Sequence, residues 1–143
     1  MPTKRSLGLV TAFTPEIFKG EYFTRIIYGI IDALRSTHYD LRLIMVSDKD
    51  REKPRRVIEE RDVDGLMFLT WTIHPDLVAE TQHEIPVVLI NDYEEEIKTN
   101  IVYCNHEIGT RKALQYLIGR GYKKIGMIQG PDKDSRDAQL RYR

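Results

Sequence analysis

The sequence predicts an α/β fold, a doubly wound parallel sheet of flavodoxin-like strand order 2-1-3-4-5. Three observations predict it. Short apolar runs recur that are too brief for helices and read as buried strands. Between them lie segments whose apolar residues fall at helical spacing. The two kinds alternate along nearly the whole chain, the pattern of a parallel sheet covered on both faces.

Residues 7–13 (LGLVTAF) form the first expected strand. Residues 21–37 follow as a helix with Phe23, Ile27, Ile30 and Leu34 on one stripe. Residues 41–47 (LRLIMVS) are a strand, and residues 51–61 a charged helix entered after Asp50, a suitable cap. Residues 65–70 (GLMFLT) are a strand, and residues 76–83 a short helix behind Pro75, where proline suits a helix start. Residues 87–90 (VVLI) are the fourth main strand. Residues 101–104 (IVYC) are a short extra one, and residues 107–120 a helix ended by Gly121. Residues 124–129 (KIGMIQ) are the last main strand, broken by Gly130-Pro131, and residues 135–143 open another helix.

The 143 residues suffice for one domain with a core of ordinary size. Lys and Arg total 22 and Asp and Glu total 22. The zero balance lacks the basic excess of a free-standing nucleic-acid-binding domain. With 31% charged and 41% hydrophobic residues the composition is globular, not disordered. The single cysteine, Cys104, permits no internal disulfide, and no secretory signal precedes the first strand, so a cytoplasmic location is expected. No run of about 18 apolar residues is present that would span a membrane.

Three segments resemble the lactose-repressor (LacI/GalR) family of bacterial transcription regulators. Residues 63–69 resemble its "VDGLI" strand, and residues 85–91 its "IPVVLID" strand. Residues 105–131 set Gly109, Ala113, Leu117, Gly121-Tyr122, Ile125, Ile128 and Gly130-Pro131 at the family's spacing. The resemblance implies the N-terminal lobe of a periplasmic-binding-protein-like (type I) effector domain. Residues 1–6 are then a leader and residues 7–143 the lobe. Six residues leave no room for a helix-turn-helix, which needs two helices, so neither the DNA-binding head nor the second lobe is expected in this chain. Operator DNA would be reached only through that missing head. Several matched residues have architectural readings of their own. Asp64-Gly65 marks a turn at a strand start, and Gly109, Ala113 and Leu117 make a small, close-packing helix face.

In doubly wound sheets ligands sit beyond the carboxyl ends of the strands, here residues 13–22, 47–50, 70–75, 91–95 and 130–141. Phe13 and Trp71 end the first and third strands and could line a cleft or plug the sheet edge. Tyr22 stands where the resemblance places an aromatic ring that contacts the effector, or else it is core at the start of its helix. Asn91 stands where many family members grip effector hydroxyls with Asp; with Asp92 it also suits a turn. Asn105 stands at a family Asp and His106 at a family Asn, while the favoured reading of Asn105 is a cap of the helix that follows. Arg141 aligns with an arginine that the family extends to effector hydroxyls or acids, with Ser135, Arg136 and Asp137 on the same approach, or else it is a solvated arginine near the chain end.

The expected function is therefore an effector-binding and dimerisation lobe of a LacI-family regulator, a homodimer responding to a sugar or related small molecule. A lobe of a periplasmic sugar-binding protein of a transporter is the alternative, weakened by the absent export signal. Catalysis is not expected. Phe13-Thr14-Pro15 stands where a phospho-acceptor domain needs paired acids, and neither G-x-G-x-x-G nor G-x-x-x-x-G-K-[ST] occurs. His38, His74, His83 and His106 lack metal-ligand spacing, so neither metal nor cofactor is expected.

Overall fold

The computed structural model of the chain describes residues 5–12, 19–46, 56, 59–60, 62–69, 75–91, 98–128 and 141. In order these form β1 (Arg5–Ala12), α1 (Glu21–Leu34), β2 (Tyr39–Val46), β3 (Gly65–Leu69), α2 (Pro75–Thr81), β4 (Val87–Ile90), β5 (Asn100–Val102) and α3 (His106–Gly119). The strands make one parallel sheet of order β2-β1-β3-β4-β5, the expected doubly wound order. The chain divides into two compact units, Met1–Tyr103 and Cys104–Arg143.

The first unit holds the sheet. Register pairs Val10 with Ile44 and with Phe68, and Phe68 with Leu89, so these four side chains share one face. They join Leu66, Val87 and the α2 residues Leu77 and Val78 in one buried cluster. On the opposite face Leu9, Thr11 and Leu69 are also fully buried, which confirms at the sheet's centre the two-sided covering read from its unbroken apolar runs. Burying Phe68 or Leu9 stabilises the fold by about 1.5–3 kcal/mol each. Gly8 sits where a Cβ would lie 2.5 Å from Leu66 Cδ2 and 2.8 Å from Ile44 Cδ1, so this core closes over the bare backbone of β1.

The turn expected at Asp64-Gly65 is a clamp at the amino edge of the sheet. The Asp64 N–H donates to the Ser6 carbonyl at 2.7 Å, and Asp64 Oδ2 accepts from the Ser6 N–H at 2.8 Å. A Cβ on Gly65 would crowd the Pro86 carbonyl oxygen at 3.3 Å. Beside it the Arg5 guanidinium lies over the Tyr39 ring and donates to its hydroxyl at 3.1 Å. That hydrogen bond, then the charges of Tyr39 and Asp64, hold the Arg5 pKa above its ordinary value.

Helix α1 keeps Phe23, Ile27, Ile30 and Leu34 half-buried, the stripe expected to face the sheet, with Ile26 beside it. It ends at Leu34, three residues before the expected end. Thr37 is the reason: its N–H and its hydroxyl both donate to the Leu34 carbonyl, at 2.9 and 2.8 Å, and its Oγ1 then accepts from the Tyr39 N–H at 3.1 Å. The helix is thereby closed and the chain turned into β2. Of the charged helix expected over 51–61 only residues 56, 59 and 60 are described, and the Glu60 N–H donates to the Arg56 carbonyl at 2.9 Å, a helical spacing.

In the second unit α3 is closed at both ends. Asn105 caps its start, and at its end the Tyr122 N–H reaches the Leu117 carbonyl and the Gly121 N–H the Ile118 carbonyl, with Gly121 at φ 87°. This paired closure needs a left-handed residue, which glycine supplies without steric cost. One expectation is corrected. Among the described residues, 124–128 carry no strand bonding, and the fifth place in the sheet is held by β5, the strand expected only as a short extra one. A lone strand gains nothing without a neighbour, and Gly126 weakens this one further.

Candidate functional site

The carboxyl edge of the parallel sheet is where this topology places ligands. At that edge β4 is followed by Asn91, a half-buried residue with φ 59°, the left-handed region. Its N–H donates to the Val102 carbonyl at 2.7 Å and so carries the β4–β5 ladder one step past the paired strands. Asparagine tolerates this conformation better than most residues because its short polar side chain bonds locally. The turn reading of Asn91 fits this left-handed backbone, and the residue stands at the sheet edge where the site reading needs it.

Tyr22 occupies the first turn of α1 and is 46% exposed, so it is not a core residue. Its ring meets Phe23 edge-to-face at 5.3 Å between centroids. The helix start lacks a side-chain cap at Gly20, and Glu21 in its first turn complements the positive end of the helix. Phe13, Trp71 and Asp92 lie outside the described residues.

In the second unit Asn105 is the N-cap of α3. Its Oδ1 accepts from the Ile108 N–H at 2.9 Å, which satisfies one of the helix's orphan donors. The capping alternative therefore holds for this oxygen. Arg141 is exposed, has helical backbone, and borders a concavity of about 250 Å³ along α3. Leu114, Ile125 and Met127 give that concavity an apolar wall; Glu107, Thr110, Arg111 and Arg141 rim it. The volume is under the roughly 300–1,000 Å³ of clefts that enclose a small ligand. Arg111 pairs with Glu107 at 3.0 Å across one helical turn, an exposed pair that adds little stability. Sequence reading passed over Glu107, Thr110 and Arg111. Their spacing of three and four residues put them on one side of α3 and was the available signal. It also passed over Thr11, whose hydroxyl is buried with no hydrogen-bond partner among the described residues. Ser135, Arg136 and Asp137 lie outside those residues.

Among the described residues no three His, Cys, Asp or Glu side chains gather to hold a metal ion. No described helix is long and apolar enough to cross a membrane.

Residues 4–142 match the family described as periplasmic binding proteins and sugar binding domain of LacI family. The chain belongs to this family. Its sheet is that of the N-terminal lobe of the family's type I fold. An HTH-type transcriptional regulator in the aml 5′ region of Streptomyces limosus is 30% identical over 139 residues, covering 91% of this chain and 39% of that protein. The chain thus spans well under half the length of this curated relative. Among solved structures, the Escherichia coli transcriptional repressor ascG superposes with a TM-score of 0.77 at 21% identity, over 96% of this chain and 51% of that one. The LacI family regulator CCPA from Weissella paramesenteroides, with bound sucrose, gives 0.72 at 19% identity, over 96% and 52%. At such identities the likeness establishes the fold.

Proposed function

We propose that this chain is the effector-binding and dimerisation lobe of a LacI-family transcription regulator, which reaches operator DNA through a separate helix-turn-helix head. The observation that carries this reading is the family match over residues 4–142, on a sheet whose carboxyl edge presents Asn91. A sugar or related small molecule is the effector class, supported by the family's sugar-binding description and by the sucrose held by the Weissella regulator. In this reading Phe13, Tyr22 and Trp71 offer aromatic faces to the apolar side of the ring. Asn91, the amide nitrogen of Asn105 and the Arg141 guanidinium hold its hydroxyls or an acid group. The lobe is a cytoplasmic binding module without a catalytic step. Tyr22, Tyr28 and Ile31, exposed on α1, favour a homodimer through that helix.

The test is an operator-binding titration of the full-length gene product, by fluorescence anisotropy at fixed salt, with and without a panel that includes sucrose and glucose. One sugar of the panel should shift operator affinity by about tenfold or more, a coupling of about 1.4 kcal/mol. Arg141→Lys should raise the concentration of that sugar needed for half its effect by roughly 10- to 100-fold, the worth of a charged hydrogen bond of about 1.5–3 kcal/mol. Its sugar-free operator affinity and melting temperature should stay the same. A protein that binds no operator, or binds it with no response to any sugar, overturns the reading.

A further inference from the structure

We draw no further inference here: the strongest candidate, the concavity beside α3 between Arg111 and Arg141, belongs to the effector site already proposed.

Discussion

Asn91 allows fold and function to be separated at one position. Its φ of 59° is left-handed, and its N–H donates to the Val102 carbonyl at 2.7 Å. An alanine there meets the left-handed penalty of about 1–2 kcal/mol that L-residues with a Cβ incur. A glycine avoids it but loses about 0.5–1 kcal/mol more chain entropy on folding than alanine does. The difference leaves Asn91→Ala less stable than Asn91→Gly by roughly 0.5–1 kcal/mol. Urea denaturation resolves this as a lower midpoint at unchanged slope. The glycine variant keeps the turn and deletes the amide, so in the full-length protein it should weaken the sugar response by about 1 kcal/mol per lost hydrogen bond while remaining more stable than the alanine variant. An alanine variant as stable as the glycine one refutes the backbone argument. A glycine variant with an intact sugar response refutes the site role, and each outcome can occur without the other.

Three further substitutions test the packing that holds the site in place. Gly8→Ala should destabilise by about 1–2 kcal/mol, an overpacking cost of about 1–3 kcal/mol less the entropy gained on losing glycine; an unchanged urea midpoint would contradict the close approach of Leu66 and Ile44. Asn105→Ala should cost about 1 kcal/mol through the lost cap of α3, and Asn105→Ser should recover most of it, read as thermal stability alongside helical circular dichroism. Thr11→Val should raise stability by about 1 kcal/mol, since it removes a buried hydroxyl that has no partner among the described residues and keeps the branched shape; a loss of stability would mean that the hydroxyl is hydrogen-bonded.

The elements that were legible in the sequence are those whose signal is local. The run 87–90 is β4 to the residue, and α3 is displaced by a single residue at each end, because an unbroken apolar run and a capped helical repeat each carry their own boundaries. Where the boundary depends on a side chain reaching back to the main chain, the pattern was silent. Nothing in the apolar stripe of α1 announces that the Thr37 hydroxyl will take the Leu34 carbonyl and end the helix there. Residues 124–128 show the opposite failure. They have a strand's composition, yet a strand exists only through a neighbour's hydrogen bonds, which no local window contains.

The candidate site exposes a further gap between residue type and available chemistry. Position and composition nominated Asn105 as readily as Asn91, but the polar atoms of the two are not equivalent. Asn105 has already committed its oxygen to the Ile108 N–H, while at Asn91 the backbone N–H is committed to the Val102 carbonyl. At Asn105 a ligand can therefore use the amide nitrogen, a donor, and not the oxygen. The same accounting applies at Arg141, where five donors in a planar fork meet a rim that already includes a carboxylate, Glu107, paired to Arg111. What a sequence cannot announce is which lone pairs and hydrogens the fold has already used. That remainder decides which effector hydroxyls this lobe can hold.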